Sequence, residues 1–272
     1  MPLLGGVGLV CILLVLGGAI LAPRIAPYPA TRVALRDRLL PPLALGRDGG
    51  HHLLGTDQLG RDVLARILYG ARFSLLVATV SVVAAGALGL SAGLVTGYLG
   101  GVPDALLMRL ADLQLAFPFI LLAMAIIAIL GPSLPNVIMV FVITSWPVYA
   151  RVTRASVLVV RNQEYVEAAR SLGASVGRIV FRHVLPNVSA SLVVVASFEM
   201  ARVIIVEAAL GFLGLGVPPP TPTWGTMLAD GRAYIRDAWW LSTFPGAAIM
   251  LLAAGVSFVG DALRDVLDPR TR

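Results

Sequence analysis

Three ionisable residues, Glu199, Arg202 and Glu207, stand inside a run of apolar residues from Val188 to about Leu210. A charge at the centre of a bilayer costs on the order of 2.5–3.5 kcal/mol on insertion scales, so such residues face a protein interior or a water-filled path. Glu199 and Arg202 are three apart and can pair on one helix face. The pair reads as a self-neutralising pair, as a link to a partner subunit, or as the lining of a translocation path. Glu207 lies nearer the outer end of the run, where water would reach it. Arg109 and Asp112, also three apart, read as a structural pair near a membrane end. None of these residues forms a nucleophile–base cluster. The chain has no lysine, so it holds no G-x-x-x-x-G-K-[ST] phosphate cradle. Energy for any work must come from a separate chain or from an ion gradient. His51 and His52 are adjacent and His183 is remote from them, which is not metal-ligand spacing. His183 reads as a helix-terminal cation. Cys11, the only cysteine, allows no intramolecular disulfide and no cysteine metal cluster.

The elements that must position these residues are membrane spans. Of the 272 residues, 58% are hydrophobic and only 13% charged, against about 25% charged in soluble domains. The apolar residues are grouped in long runs. Leu3 to Ala22 is a first span, preferred over a cleaved signal peptide because no basic stretch precedes it. Residues 23–73 form a polar, proline-bearing external loop. Its end, Asp62 to Phe73, has the pattern of an amphipathic interfacial helix. Ser74 to Gly97 is the second span, with Ala85, Gly89, Gly93 and Gly97 every four residues. That stripe is either a close-approach surface or ordinary glycine enrichment. The third span is Leu107 to Leu130, with Pro118 inside. A short turn makes it an antiparallel neighbour of the fourth, Val137 to Tyr149, a short run broken by Pro147. The sixth is Leu241 to about Val259, preceded by Trp239 and Trp240 at interfacial-belt positions. The expected organisation is therefore 1–22, 23–73 and a five-span core over 74–272.

Six spans put both termini on one side. Residues 150–187 carry Arg151, Arg154, Arg161, Arg170, Arg178 and Arg182 against Glu164 and Glu167, so this loop is assigned to the cytoplasm. Both termini follow it, with Arg264, Arg270 and Arg272 in the tail. Against this stand eight arginines in the first loop: Arg24, Arg32, Arg36, Arg38, Arg47, Arg61, Arg66 and Arg72.

The basic loop predicts a helix-turn-helix. Asn162 can cap a helix with Glu164 in its first turn, and Gly173 can end it in a left-handed conformation. Ser175 can cap a second helix running to about His183, and Pro186 then starts the fifth span. Two short helices with little apolar bulk cannot stand alone. Ala168, Ala169 and Ala174 are small enough to press into a partner's groove. The alternative is a solvated loop that only sets topology.

Glu167-Ala168-Ala169, three residues, Gly173, and then Leu185-Pro186 resembles the EAA motif of ABC-importer permeases. The motif's hydrophobe falls on His183, a departure, with Val184 beside it. Leu54-Gly55-Thr56-Asp57-Gln58-Leu59-Gly60-Arg61-Asp62 is similar to the C-type permeases of the dipeptide, oligopeptide and nickel group. So are Phe212 to Val217, Pro220-Thr221-Pro222-Thr223-Trp224-Gly225, and the closing Gly260 to Asp265 with Leu267-Asp268-Pro269-Arg270.

The resemblance implies an all-α, six-span fold of the type I importer class with a cytoplasmic coupling loop. It implies a multi-pass protein of a bacterial or archaeal plasma membrane that carries peptides, a nickel complex, glutathione or opines. Glu167, Ala168, Ala169, Gly173, Leu185 and Pro186 would form the coupling helix that fits a cleft on an ATPase. It implies a paralogous permease, two ATPase chains holding ATP and magnesium, an external binding protein, and no cofactor in this chain. The competing reading is an ion-gradient-driven transporter using Glu199 and Arg202, and a membrane enzyme is a distant third.

Overall fold

The computed structural model describes residues 2–267. The Asp268-Pro269-Arg270 part of the closing motif, and Arg270 and Arg272 of the charge argument, lie outside the described residues. The elements are α1 (Pro2–Ile25), a minimal hairpin β1 (Ala44–Leu45) and β2 (His51–His52), α2 (Val63–Leu99), α3 (Gly101–Leu115), α4 (Phe119–Leu130), α5 (Leu134–Val160), α6 (Glu164–Ser171), α7 (Val176–Ile179), α8 (Leu185–Phe212), α9 (Trp224–Gly231) and α10 (Trp240–Leu267). Five stretches are long and apolar enough to cross a membrane, and α3 with α4 makes a sixth if that bent pair is one span.

The small-residue stripe on α2 is a close-approach surface. A Cβ on Gly89 would lie 2.6 Å from the Trp146 carbonyl oxygen, one on Gly93 2.3 Å from Thr153 Cβ, and one on Gly97 2.7 Å from Val157 Cβ. α2 therefore lies directly on α5, backbone against backbone. α10 packs on both α1 and α8. The main core joins Val77 and Ala78 of α2, Val140 and Phe141 of α5, Val203 and Ile204 of α8, Trp224 of α9 and Leu252 of α10.

Several element boundaries differ from expectation. The interfacial helix foreseen over 62–73 is the start of α2 itself, because Asp62 Oδ1 accepts the Ala65 N–H at 2.8 Å and caps one unbroken helix. The single span foreseen over 107–130 is broken between α3 and α4 by 92°. Pro118 lacks an N–H and takes an extended ψ of 127°, so no helix passes through it. Pro147 does the opposite. It sits inside α5, which runs to Val160 rather than ending at Tyr149. The carbonyl it frees, on Ile143, accepts a hydrogen bond from Gln114 Nε2 on α3. Pro23 is likewise inside α1, and the carbonyl it frees, on Ala19, accepts from Arg72 Nε at 2.5 Å.

The segment between α1 and α2 is tied to the rest of the protein. Asp57 is buried; its Oδ1 accepts the Leu59 and Arg61 N–H groups at 2.8 and 2.9 Å, and its Oδ2 pairs with Arg61 Nε at 2.6 Å and with Arg66. Asp230 takes the other arms of both arginines at 3.2 Å. Trp240 Nε1 donates to the Thr56 carbonyl at 3.2 Å. Gly60, at φ +73°, lies so close to the Ala34 carbonyl that no side chain fits. The Leu54–Asp62 motif is thus a clamp that joins α2, α9 and α10. Four of the eight first-loop arginines are held in pairs or on carbonyls: Arg32, Arg61, Arg66 and Arg72. In the hairpin, Ala44 faces His52, which is buried and bonded to Asp62 at 2.8 Å, while Leu43, Leu45 and Leu53 point outward and are exposed. At its turn the Asp48 carboxyl lies below the usual carboxylate range, held there by the Gly50 N–H, the Tyr28 hydroxyl and Arg32.

Candidate functional site

Two places carry the ionisable and motif residues: the α6–α7 hairpin and a cavity beside the α3–α4 break. α6 begins one residue later than foreseen, with Gln163 rather than Asn162 at the cap position and Glu164 and Glu167 in its first turn, where negative charge suits the helix dipole. Its end is a Schellman turn. Gly173 N–H reaches the Arg170 carbonyl at 3.0 Å, Ala174 N–H reaches Ala169 at 3.1 Å, and Gly173 has φ +80°. Ser175 caps α7 through the Arg178 N–H at 3.5 Å. The second short helix is not separate from the fifth span. A π-type turn over Val180–Val184 carries the chain from α7 into α8 without a break. There Leu185 N–H reaches back five residues to Val180. The widened turn makes room for Pro186, whose ring would otherwise crowd the carbonyl four residues earlier.

Beneath the hairpin, Val157, Val166, Ile179, Val184 and Val188 form a small core, with Leu94 and Tyr98 of α2 packed against it. Val184, not His183, fills the hydrophobic place of the motif, and His183 lies against the Tyr165 ring at 6.2 Å. Glu167 and Ala168 face solvent, and Ala169 and Leu185 are half-buried. The expectation of little apolar bulk is corrected. Leu172 at the tip is 88% exposed, and Tyr165, Val176 and Phe181 are also exposed. Their spacing around Gly173 was visible in the sequence, but nothing there said which way they point.

The second place lies on α8, fourteen residues beyond Leu185. Glu199 is 8% exposed and accepts from Arg202 Nε at 3.1 Å on both oxygens and from Nη2 at 2.7 Å. Arg202 Nη2 also donates to Ser145 Oγ of α5 at 2.7 Å, and the guanidinium lies 5.5 Å from the centre of the Phe119 ring. The pair borders a cavity of about 230 Å³ that Gln114, Phe117, Phe119 and Thr144 also line. Gln114 works twice, since its Oε1 accepts the Trp146 indole N–H at 2.9 Å while its Nε2 serves Ile143. In the sequence it is a single polar residue between Leu113 and Leu115, with no local signal of either contact.

The other charged residues are elsewhere. Glu207 is not wet: it is 2% exposed, and Ser74 Oγ of α2 donates to it at 3.0 Å. Asp112 does not pair with Arg109 but with Arg151 of α5 at 2.5 Å, and Asp104 holds Arg154 at 2.6 Å. A three-residue spacing permits a pair, and a closer arginine on the neighbouring helix takes it.

Residues 89–272 match the family of binding-protein-dependent transport system inner membrane components. The chain belongs to that family. It is 47% identical to the di/tripeptide transport system permease of Pseudomonas aeruginosa over 266 residues, 97% of this chain and 88% of that one. It is 48% identical to the dipeptide transport system permease of Escherichia coli, covering 98% and 89%. The solved MetNI methionine ABC transporter in inward-facing form shares the fold, with a TM-score of 0.61 at 20% identity over 75% of this chain and 96% of that one. The chain is thus a C-type ABC-importer permease, a multi-pass membrane subunit that works with ATPase and further permease chains. The ion-gradient reading finds no support among these relatives.

Proposed function

We propose that this permease forms half of the path for short peptides and that the α6–α7 hairpin couples it to ATP hydrolysis in partner chains. The peptide assignment is supported by the names of relatives aligned over nearly the whole chain. The coupling assignment is carried by one observation: an exposed tip with Leu172, Val176 and Phe181 uncovered, standing on its own small core. Bulky apolar groups left bare outside an apolar phase mark a surface that another protein covers. Glu167, Ala168, Ala169, Gly173, Leu185 and Pro186 build and present that surface. ATP and magnesium belong to two ATPase chains, and this chain holds no cofactor. A paralogous permease supplies the other half of the path, and an external binding protein delivers the substrate. Glu199 and Arg202 line the path. The hairpin and both termini face the cytoplasm, residues 23–62 face outward, and residues 74–272 are the permease core.

Gly173→Val tests the coupling role. No neighbour lies within 4 Å of an added Cβ, so the substitution acts through the backbone turn alone. A left-handed β-branched residue costs about 1–2 kcal/mol. ATPase co-purification and ATP-dependent uptake are expected to fall about tenfold, with membrane insertion unchanged. Unaltered uptake, or labelling of a cysteine at Leu172→Cys only from outside the cell, overturns the reading.

A further inference from the structure

We infer that the cavity beside the α3–α4 break is a transit site for a zwitterion, in which Arg202 takes the carboxylate end of a short peptide and Glu199 its ammonium end. This rests on the reading above that the pair lines the path, and deepens it to the charge pattern of the cargo.

The two charged groups of the cavity sum to zero. In an apolar surrounding a solute with one net charge would leave that charge uncompensated, which disfavours its entry. A solute with one positive and one negative end can exchange partners with the pair and keep the sum at zero. Arg202 is equipped for this. Its Nε and Nη2 are engaged by Glu199 and Ser145, whereas Nη1 makes no hydrogen bond among the described residues. The guanidinium is held against Phe119, which keeps its plane fixed while Nη1 is offered to a carboxylate oxygen. Glu199 has Arg202 as its only hydrogen-bond partner among the described residues, so its remaining lone pairs are open to an ammonium. In the otherwise apolar lining, Gln114 keeps a second Nε2 proton beyond the one given to Ile143, and Thr144 Oγ1, which donates to the Val140 carbonyl at 2.7 Å, keeps its lone pairs, a donor and an acceptor for one peptide unit between two charged ends. At about 230 Å³ the cavity is smaller than the roughly 300–1,000 Å³ of pockets for drug-sized ligands, which limits the occupant to about dipeptide size. The internal Glu199–Arg202 bond competes with the cargo, so the site holds it weakly, as transit requires.

A plain structural pair and a cargo site respond differently to neutralisation of both partners. The intact importer is reconstituted with its ATPases and binding protein, and uptake of labelled alanyl-alanine is measured per ATP hydrolysed. Glu199→Gln/Arg202→Gln removes both charges and leaves the sum at zero. ATP hydrolysis is expected to persist while uptake per ATP falls about tenfold or more, the effect of losing a charged hydrogen bond. Wild-type uptake in the double variant overturns the inference, because the pair then serves only itself. Leu122→Cys on the cavity wall, in a Cys11→Ser background, gives a second readout with both charges intact. Alanyl-alanine is expected to slow modification of the introduced thiol several-fold, and absence of protection overturns the inference even if the double variant does not assemble. A chain that is no ATP-driven permease would fail earlier, by showing no ATP-dependent uptake in the wild type.

Discussion

At the scale of residues, the recurrent device is a side chain that repairs a backbone carbonyl freed by proline. Gln114 does this for Ile143 opposite Pro147, and Arg72 for Ala19 opposite Pro23. In hydrocarbon an unmet carbonyl has no water to turn to, and these two side chains supply the donors that Pro147 and Pro23 leave their helices needing. Gln114→Leu leaves the Ile143 carbonyl and the Trp146 indole without their partner. The expected loss is about 1–2 kcal/mol, read as a lower midpoint when the purified protein is unfolded in SDS titration, with added local exchange of α5 amides. An unchanged midpoint would show that another group takes over. The sequence displayed Pro23, Pro118 and Pro147 alike. Pro118 stands at a break while Pro23 and Pro147 lie inside helices with a donor from another element, and those contacts are tertiary. The Glu199–Arg202 pair was legible because a three-residue spacing within one helix is local. Ser145 and Phe119, which complete its surroundings, come from other helices and left no local signal.

At the scale of elements, the α2–α5 contact rests on glycines with no room to spare. A methyl group on Gly93 would stand 2.3 Å from Thr153 Cβ and 2.7 Å from the Ala150 carbonyl oxygen, whereas one on Gly86 would touch only the Tyr149 ring, at 3.6 Å. Gly93→Ala is therefore expected to destabilise the protein by about 1–3 kcal/mol through overpacking. Gly86→Ala should be near neutral by the same measurement, thermal unfolding in detergent. Equal effects would mean that the helices slide to accommodate either. The four-residue repeat of small residues made this surface readable, since a stripe on one helix face needs only helical periodicity. What the repeat did not say was which helix it meets. The hairpin was legible for the same local reason: Gly173 and Ser175 act within their own turns. Its merger into α8 was not, because a π-type turn has no compositional mark and Pro186 resembles a conventional start.

At the scale of the whole molecule, composition alone placed the chain in a membrane, while charge counting gave opposed signals for orientation. Half of the first-loop arginines are engaged by groups of the protein itself, and a rule about free cations near lipid does not count such groups well. The continuity of Val176–Phe212 matters most at this scale. Its 37 residues, at about 1.5 Å each, make a lever about 55 Å long with Leu172 just beyond its foot and Arg202 about two-thirds of the way up. Tilting it by about 5° about its lower end would carry Arg202 sideways by about 3 Å, enough to part the guanidinium from Ser145. Spin labels at Val176→Cys and Val193→Cys, in a Cys11→Ser background, should keep one separation through the nucleotide cycle while both move against α1. A separation that changes would locate a joint at Val180–Val184, and effort applied at the tip would then be absorbed there instead of reaching Arg202.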